Sequence, residues 1–551
     1  MPGGTDQTLR PFLWRASRLY PDTEIVSRTH DGIERYDYAA YEERVGRLAN
    51  ALTTGGIEPG DRVGTVCWNH HRHFETYFAV PNMGAQLHTI NPLLPDEHLQ
   101  HIVRDAGDRL LFVDPSLAEK LAGAVDDDPS AFESVDRFVV MGSETAETEL
   151  SPVTDYESFL AGHDEGFDWP QVDEEQPAGM CYTSGTTGRP KGVEYTQQML
   201  WAHTMATLPA AGLDIRDSDV VMPVVPMFHV NAWGMPFTTT AAGAKHVYPG
   251  PAPDPADLAG LIENEGVTLT AGVPTVWLGL LEYLQGNDVD LSSLERVVVG
   301  GSAAPEAMIR RFDELGVEVV HAWGMTEMSP IGTIAYLKEG MDELGEGERY
   351  DARSKQGLIL PGLEFRVVGD DGEELPWDGE AFGELQVRGP WVTTEYFGRP
   401  AAAEDFDGEW FRTGDVVRVD PEGYIEIVDR AKDVIKSGGE WISSVELENA
   451  LMAHDTVAEA TVIGVPHERW QERPVAFVVP TGDANEELKD ELGELIEAEY
   501  PTWWRPDEFV TIDEIPKTAT GKFDKKVLRE EYDDSSLVEG KVPEGVAPEE
   551  D

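Results

Sequence analysis

The chain has 551 residues and carries 104 acidic against 42 basic side chains, a formal net charge of -62 at pH 7. A surface this negative repels nucleic acid and anionic membranes, so neither is expected as a partner. Hydrophobic residues make up 41% of the chain and aromatic residues 9%, which excludes disorder over most of its length.

The acidic residues are spread over the whole sequence, and arginine outnumbers lysine by 29 to 13. Because salt screens repulsion of this kind, we favour a protein of a high-salt (halophilic) cytoplasm over an ordinary acidic protein. The two cysteines, Cys67 and Cys181, are far apart, so neither a disulfide framework nor a zinc site is indicated. The N-terminal residues lack the apolar core of a signal peptide, which also favours a cytoplasmic location.

Short apolar runs alternate with amphipathic stretches from the N-terminus onward, a pattern typical of layered α/β structure. The strand pattern "DRVGTVCW" precedes the helix pattern "HHRHFETYFAVPNMG", and "LERVVVGGSAAP" precedes "EAMIRRFDELG". Residues 220–244 contain no charged Asp, Glu, Lys or Arg but include Pro223, Pro226 and Pro236. We therefore expect buried strand and loop there rather than a membrane span.

The pattern changes after about residue 360, where short strands separated by DG and DDG turns predict a β-rich subdomain reaching residue 428. Beyond it, "SSVELENALMAH" predicts a helix, and "VAEATVIGVPH" and "RPVAFVVP" predict strands. The predicted organisation is a large N-terminal domain over residues 1–428, a hinge over 429–431, a small α+β domain over 432–533, and an acidic, disordered tail over 534–551.

One stretch, "YTSGTTGRPKG" at residues 182–192, is suited to binding phosphate. Its small residues allow backbone amides and hydroxyls to approach phosphate oxygens closely, and Lys191 adds a positive charge. The spacing is not that of a Walker loop, because Arg and Pro separate Gly188 from Lys191. The strand-like "AGMCY" before it argues against a flexible linker.

This stretch resembles the phosphate-binding signature of the adenylate-forming superfamily, which includes AMP-forming acyl-CoA synthetases, luciferases and peptide-synthetase adenylation domains. Further matches follow in the family's order: "PMFHVNAWG" from 226, "GGSAAP" from 300, "WGMTEMSP" from 323, "FRTGDVVRVDPEGYIEIVDRAKDVIKSGGEWIS" from 411 and "KTATGKFDKK" from 517. Two of the segments are most similar to medium- and long-chain fatty acyl-CoA synthetases. The resemblance reaches about residue 530 and implies a large α/β domain followed by a small mobile α+β domain.

The resemblance also implies a nucleotide and metal site. Glu327 is similar in place to the family's magnesium ligand, and Thr183 completes that site through its hydroxyl. Trp323 corresponds to an aromatic residue that stacks on adenine, and Asp415 to the acid that accepts hydrogen bonds from the ribose. The full set implied in nucleotide and coenzyme binding is Thr183, Ser184, Gly185, Thr186, Thr187, Gly188, Lys191, Gly301, Ser302, Ala303, His321, Ala322, Trp323, Gly324, Thr326, Asp415, Arg430, Lys432, Lys436, Gly438, Gly439 and Trp441.

Further roles are implied for the acid substrate and for the small domain. The acyl site is assigned to His229, Val230 and Trp233, the last as a candidate gate, and Asp429 matches the hinge. Lys522 is the lysine expected to reach the α-phosphate and the carboxylate, so the catalytic set is Lys522, Glu327 and His229. Its neighbours Lys525 and Lys526 are expected to be surface or phosphate-steering charges, and Lys517 has no assigned role.

Two positions depart from the family's pattern. Gln197 stands where a histidine usually follows the phosphate loop, and His321 with Ala322 replaces a Gln-Gly pair before the aromatic residue. Neither position belongs to the catalytic set, but both bear on how the nucleotide packs.

The implied activity is that of an ATP-dependent fatty acid–CoA ligase acting through an acyl-adenylate, with ATP, Mg²⁺ and coenzyme A as cofactors or co-substrates. Two alternatives stay open: a CoA ligase for a short thioether, branched or aryl acid, and a non-catalytic module that binds nucleotide or acyl-CoA. The expected partners are the acid, ATP and CoA, without nucleic acid or stable membrane insertion. Long-chain relatives suggest a homodimer.

Overall fold

A computed structural model describes residues 6–142, 148–183, 189–369, 371–437, 440–454, 456–467, 469–482, 486–517 and 523–534. The chain divides into two compact units. Unit 1 comprises Met1–Phe365 and Val387–Phe411, and unit 2 comprises Arg366–Gln386 and Arg412–Asp551. The boundaries predicted around residues 428–432 stay predictions, and the predicted acidic tail lies almost wholly outside the described residues.

The helices begin and end at local sequence signals. In chain order they are α1 Arg10–Leu19, α2 Tyr38–Thr54, α3 His71–Asn82, α4 Asp96–Ala106, α5 Ala118–Asp127, α6 Tyr156–Leu160, α7 Gln197–Thr207, α8 Val230–Trp233, α9 Met235–Ala242, α10 Pro255–Glu265, α11 Pro274–Gly286, α12 Glu306–Glu314, α13 Glu346–Ser354, α14 Ser444–Met452, α15 Glu486–Glu499 and α16 Lys525–Asp534. The side chain of Asp37 caps α2 by accepting from the Ala40 N–H, and Gly107 ends α4 at a φ of 68°. Single 3₁₀ turns lie at Pro115–Leu117, Pro129–Phe132, Thr326–Met328, Met341–Glu343 and Thr502–Trp504.

The strands are short, as expected of an α/β protein. They are β1 Glu24–Thr29, β2 Gly32–Asp37, β3 Arg62–Val66, β4 Gln86–Thr89, β5 Leu110–Val113, β6 Arg137–Val140, β7 Val153–Asp155, β8 Pro177–Tyr182, β9 Gly192–Thr196, β10 Val220–Pro223, β11 Lys245–Tyr248, β12 Leu269–Gly272, β13 Arg296–Val299, β14 Glu318–Gly324, β15 Ile331–Ala335, β16 Leu358–Ile359, β17 Glu364–Val368, β18 Phe382–Arg388, β19 Phe406–Asp407, β20 Trp410–Val419, β21 Ile425–Arg430, β22 Ile435–Ser437, β23 Glu440–Ile442, β24 Val457–His467, β25 Gln471–Pro480 and β26 Glu508–Thr511.

Two sheets belong to unit 1. One has the order β7-β6-β5-β3-β4-β8-β9 and is parallel except for β9. The other has the order β16-β15-β14-β13-β12-β10-β11-β1-β2, with parallel pairing from β14 to β1. Each sheet contributes to a separate apolar core, the first around Phe132 and Leu99 and the second around Trp277 and Phe312. The predicted layered α/β class is confirmed.

Four of the motif segments in unit 1 follow the carboxyl ends of strands. β8 ends just before Thr183, and β10 precedes the segment that contains His229. β13 ends just before the Gly300-Gly301 pair, and β14 ends before Glu327. Because β10, β13 and β14 are parallel members of one sheet, their carboxyl ends meet at one edge, where ligands bind in open α/β sheets.

The uncharged stretch of residues 220–244 is buried, but its predicted loop is largely helical. Only β10 is a strand, and α9 occupies Met235–Ala242 with all eight residues buried. The prediction of strand and loop was wrong here because Pro236 falls in the first turn of α9, where a proline needs no N–H donor. No described helix is both long and apolar enough to cross a membrane.

Unit 2 contains the sheet β23-β22-β25-β24, with β26 paired to β25. Helix α14 and strands β24 and β25 coincide with the predicted elements, which are confirmed. Their apolar faces meet in a core that includes Ile435, Leu447, Val462 and Ile496. A further sheet, β17-β18-β20-β19 with β21 on β20, contains the strands through which the chain passes from one unit to the other.

Candidate active site

The base of the predicted phosphate loop is a short hairpin between β8 and β9. Thr183 donates its backbone N–H to the Lys191 carbonyl at 2.9 Å, and its hydroxyl accepts from the Lys191 N–H at 3.2 Å. Residues 184–188, with the predicted contacts of Ser184, Gly185, Thr186, Thr187 and Gly188, lie outside the described residues. The two hydrogen bonds between Thr183 and Lys191 therefore hold the two ends of the loop together, and both ends belong to unit 1.

Glu327, the candidate metal ligand, lies in the 3₁₀ turn after β14. Its side chain is buried, with the residue 7% exposed, and its Oε1 accepts a hydrogen bond from the hydroxyl of Tyr396 at 2.8 Å. Its backbone carbonyl accepts from the Thr393 N–H at 2.7 Å, and the preceding Thr326 carbonyl accepts from Tyr195 at 2.8 Å. Three partners from two segments thus hold this turn.

The donor set fits magnesium better than a fully protein-bound metal. No group of three or more His, Cys, Asp or Glu suited to a metal occurs in the part of the chain that is described. Magnesium keeps few protein ligands and takes the rest from phosphates and water, and a hard carboxylate such as Glu327 with a hydroxyl such as Thr183 suits it. These residues fit a magnesium ion that arrives with a nucleotide.

Lys191 is held beside the same tyrosine. Its ammonium forms an ion pair with Asp405 at 2.9 Å and lies 4.3 Å from the centre of the Tyr396 ring. Burial, and next the charge of Glu327, raise the pKa of Tyr396, so the phenol stays protonated and donates. The candidate metal ligand and the phosphate-loop lysine therefore meet at one side chain.

The glycine pair after β13 lies close to the acyl segment. A Cβ on Gly300 would stand 2.8 Å from the Ala322 carbonyl oxygen and 3.0 Å from the Trp233 ring, so only glycine fits. Gly301 has a φ of 82°, and Ser302 beside it is exposed. Trp233 and the "GGSAAP" segment are thus neighbours.

His321 is buried in β14 and neutral. Its Nδ1 donates to the Ser354 carbonyl at 2.9 Å, and burial lowers its pKa to about 4. The histidine that replaces the family's glutamine therefore ties β14 to the end of α13. Ala322, next to it, is buried in the same strand.

Trp323 is only 7% exposed, and its ring lies against Gly332 of the neighbouring β15, where a Cβ would come within 2.9 Å. Gly324 is equally constrained, because a Cβ there would collide with the Pro330 carbonyl. This packing fixes the ring at the end of β14, and stacking on adenine stays a prediction.

The acyl segment contains α8, a single turn whose residues have left-handed backbone conformations. Four successive non-glycine residues, Val230, Asn231, Ala232 and Trp233, have φ between 44° and 56°, and Gly234 follows at 77°. Such conformations cost energy in L-residues and persist only where surrounding contacts enforce them. His229, the candidate catalytic residue, is half-buried directly before the turn.

Side chains from three separate segments contact this turn and the loop before it. Asn69 accepts from the Met227 N–H at 2.6 Å and donates to the Pro223 and Val225 carbonyls at 2.9 Å each. Burial raises the pKa of the Cys181 thiol, and the backbone amides of Val230 and Asn231 are among the groups that oppose the shift. The His203 ring fills the space beside Gly234.

Gln197, the second departure from the family, has a structural role. Its Oε1 accepts from the Leu9 N–H at 3.0 Å and its Nε2 donates to the Pro81 carbonyl at 2.9 Å, fully buried. The side chain thus joins α7 to the segment before α1 and to α3.

In unit 2, the two candidate ribose contacts face each other on adjacent strands. Asp415 and Arg430 are register partners of β20 and β21, and the Arg430 Nε lies 2.7 Å from the Asp415 Oδ1. Asp415 is fully buried, whereas the Arg430 side chain is 43% exposed. The ion pair contacts one oxygen of the carboxylate, at the end of the β20–β21 ladder.

Asp429, the candidate hinge residue, ties β21 to α14. Its two oxygens accept from the backbone N–H groups of Arg430 at 2.7 Å and Ser444 at 2.6 Å. Burial raises its pKa to about 6, although the nearby Lys525 acts in the opposite direction.

Lys525 corrects one expectation from the sequence. It is a buried charge, paired with Glu448 at 2.7 Å and donating to the Ser444 hydroxyl at 2.6 Å. Three carboxylates, those of Glu448, Asp429 and Asp433, raise its pKa against the effect of burial. Lys526, by contrast, is exposed as predicted. The reason is that α16 packs against β24, and Lys525, its first residue, reaches Ser444 and Glu448 of α14.

The remaining predicted residues of unit 2 are only partly described. Lys436 donates its N–H to Glu472 and pairs with Trp441 across the β22–β23 hairpin, and Lys432 is exposed. Gly438, Gly439, the Trp441 side chain and the catalytic candidate Lys522 lie outside the described residues. Lys517, which had no assigned role, forms an ion pair with Glu459 at 2.6 Å.

Sequence reasoning missed Tyr396, Asp405, Asn69 and His203. Their signal is weak, because each acts through side-chain contacts to segments that are distant in sequence. Tyr396 and Asp405 lie in the stretch "VTTEYFGRPAAAEDF", within the predicted β-rich subdomain, where no motif marks either residue.

Two family models match the chain. The AMP-binding enzyme model matches residues 13–397, and the model of the AMP-binding enzyme C-terminal domain matches residues 446–522. The chain is 47% identical over 529 residues to a long-chain-fatty-acid–CoA ligase of Thermus thermophilus, covering 95% of each chain. It is 44% identical to a 3-methylmercaptopropionyl-CoA ligase of Ruegeria lacuscaerulensis, covering 94% of this chain and 96% of that one.

Among solved structures, an anthranilate CoA ligase in complex with anthranoyl-AMP superposes with a TM-score of 0.82 at 24% identity. The match covers 96% of this chain and 98% of that one. At this identity, the likeness concerns the fold.

Proposed function

The chain belongs to the AMP-binding enzyme family, and from that membership we propose that it is an ATP-dependent fatty acid–CoA ligase acting through an acyl-adenylate. The observation that carries the proposal is the 47% identity, over 95% of both chains, to a long-chain-fatty-acid–CoA ligase. The chain is an AMP-forming acid-thiol ligase, and its substrates are an acid, ATP and CoA.

In the first half-reaction a carboxylate oxygen attacks the α-phosphorus of ATP, and the bond to pyrophosphate breaks. Two anions must approach, so the site needs cations rather than a general base. Lys191 in unit 1 supplies one charge near the phosphate loop, and Lys522 is assigned the charge at the reacting carboxylate. His229 positions the acid through an N–H donor.

Glu327 and Thr183 are the residues that would hold magnesium. When bound, the ion neutralises charge on the phosphates. Glu327 is suited to this because its phenol partner donates a hydrogen bond without bringing a positive charge that would compete with the ion. Asp415 accepts hydrogen bonds from the ribose, oriented by Arg430.

In the second half-reaction the thiol of coenzyme A attacks the carbonyl carbon of the mixed anhydride, and AMP leaves. Rotation about Asp429 exchanges Lys522 for the "SGGEW" hairpin between the two steps, a hinge motion. Gly438 and Gly439 in that hairpin let the pantetheine chain approach closely. A cytoplasmic location and a homodimer belong to the same proposal.

The second candidate is a ligase for a short thioether acid. The 44% identity to a 3-methylmercaptopropionyl-CoA ligase favours it. The two candidates differ in the depth of the acyl site, beyond Val230 and Trp233.

A series of straight-chain acids from short to long, together with 3-methylmercaptopropionate, separates them. AMP formation with CoA is measured in molar KCl, where the charge of -62 is screened. The proposal expects the highest kcat/KM with a medium or long acid. Highest kcat/KM with the thioether acid selects the second candidate, and no AMP with any acid rejects both.

Lys522→Ala tests the assignment of the two half-reactions. We expect acyl-adenylate formation to be lost while thiolysis of supplied acyl-adenylate is retained, because the lysine serves only the first step. The matched control is Lys526→Ala, an exposed lysine four residues on. Equal loss of both half-reactions would mean that Lys522 only maintains the fold.

A further inference from the structure

Tyr396 lies between two residues of the candidate site. Its hydroxyl donates to Glu327 Oε1 at 2.8 Å, and its ring lies 4.3 Å from the ammonium of Lys191. The neighbouring Thr393 and Phe397 donate backbone N–H groups to the carbonyls of Glu327 and Gly192 at 2.7 and 2.8 Å. One short segment thus contacts both the metal-ligand turn and the phosphate-loop hairpin.

The phenol differs from the other donors a carboxylate commonly meets. A lysine or arginine would neutralise Glu327 and compete with a divalent cation for it. A phenol fixes the orientation of one oxygen and leaves the negative charge in place. Tyr396 is itself only 7% exposed, so its hydroxyl is held against Glu327 away from bulk water.

The ring contributes through its face. A cation within about 6 Å of an aromatic centroid is attracted by the ring quadrupole. The ammonium of Lys191 also forms an ion pair with Asp405 at 2.9 Å, so it is held by both the carboxylate and the ring of Tyr396. If the phosphate oxygens of bound ATP attract Lys191, the lysine leaves the ring of Tyr396, the residue whose hydroxyl orients Glu327.

From these contacts we propose that Tyr396 is a positioning residue that orients Glu327 for the magnesium ion of bound ATP and couples it to Lys191. This inference rests on the proposed function, since it takes Glu327 as the metal ligand. Tyr396 would act through Glu327 and Lys191, which its hydroxyl and its ring contact.

The molecule contains a matched control. Tyr350 donates its hydroxyl to Asp313 at 2.8 Å, and the guanidinium of Arg310 lies 3.8 Å from its ring centre. Here too a phenol donates to a carboxylate and a cation lies over the ring, but Asp313 is also paired with Arg353 at 2.6 Å, and the group joins α12 to α13 outside the candidate site. Tyr350→Phe therefore reports what the loss of such a hydroxyl costs in stability alone.

The test is binding of Mn²⁺, a spectroscopic substitute for Mg²⁺, to the full chain with a non-hydrolysable ATP analogue, followed by electron paramagnetic resonance. We expect Tyr396→Phe to raise the Mn²⁺ dissociation constant by about tenfold or more, the effect of losing one hydrogen bond to a charged group. Tyr350→Phe should change it by less than about twofold. The thermal unfolding midpoint shows whether each variant is folded, and the KM for the acid should not change.

Glu327→Gln separates this inference from the proposed function. If Glu327→Gln binds Mn²⁺ as the wild type does, Glu327 is not the ligand and the metal assignment fails. If Glu327→Gln loses Mn²⁺ but Tyr396→Phe does not, the assignment stands and the positioning role is overturned. Equal weakening in Tyr396→Phe and Tyr350→Phe also overturns it, because the effect would then be general.

Discussion

Two buried carboxylates, Glu327 in unit 1 and Asp429 in unit 2, are held in different ways. Glu327 accepts from a neutral phenol, whereas both oxygens of Asp429 accept from backbone amides. Backbone donors cannot move aside without breaking the strand or helix that supplies them, so Asp429 binds elements of the fold together. The phenol of Tyr396 orients one oxygen of Glu327 and brings no positive charge that would compete with a cation. Both acids are buried, so the difference between them lies in their hydrogen-bond partners: a side chain for Glu327, and the backbone of β21 and α14 for Asp429.

The largest effect is expected at Glu327. Replacing it by glutamine removes the charge but keeps the shape and the phenol contact, so the fold should be retained. We expect acyl-adenylate formation, measured by pyrophosphate release, to fall by about a thousandfold, the scale on which one electrostatic group acts in a dry site. A fall of less than tenfold would mean that Glu327 has a structural role and is not the metal ligand.

Lys525→Met should break the structural cluster of unit 2. Removing one partner of a buried ion pair leaves the other charge uncompensated, here Glu448, at a cost of about 3 to 5 kcal/mol. The free energy of unfolding from denaturant titration measures this loss. Lys526→Met, one residue along α16 and exposed, is the control and should cost less than about 0.5 kcal/mol. Equal losses of unfolding free energy in the two variants would mean that the buried contacts of Lys525 do not stabilise unit 2.

His321 in unit 1 and Asp429 in unit 2 should make the free energy of unfolding change with pH in opposite directions. The pKa of His321 in unit 1 is lowered to about 4, so its contribution to stability is present above pH 6.5 and is lost as the pH falls through 4. That loss amounts to about 3 kcal/mol at most. His321→Gln, which restores the residue usual in the family, should flatten the fall in unfolding free energy between pH 6.5 and 4. An unchanged pH profile would show that His321 does not titrate on unfolding.

Asp429 gives the reverse dependence. Its pKa is raised to about 6, so its contribution is present below its unfolded pKa, about 3.8, and is lost as the pH rises through 6. The wild type should therefore lose up to about 3 kcal/mol over this interval, relative to Asp429→Asn. Difference curves from thermal unfolding in molar salt measure the effect. A difference of the opposite sign would mean that Lys525 outweighs burial at this carboxylate.

Much of the fold was predictable because its signals are local. Strand and helix patterns placed α3, α12, α14, β24 and β25, and the motifs fell at the carboxyl ends of strands as open α/β sheets require. Helix α9 was not predicted, since an uncharged run rich in proline gives no periodicity to read.

The contacts within the site were less predictable. Asn69 holds a loop about 155 residues away in sequence, and Tyr396 reaches Glu327 over 69 residues. Side chains of this kind have no spacing that marks them, because their partners are set by tertiary packing. Lys525 shows the same limit, since a lysine beside other lysines gives no sign that α16 will bury it.

Exchange of labelled pyrophosphate into ATP in the absence of CoA tests the central claim most directly. An enzyme that forms an acyl-adenylate reversibly should catalyse this exchange only when a fatty acid is present. Glu327→Gln should abolish it, and Asp429→Asn, whose carboxylate lies among backbone donors, should retain the dependence on acid. Exchange without acid, or equal exchange in the wild type and Glu327→Gln, would contradict the account.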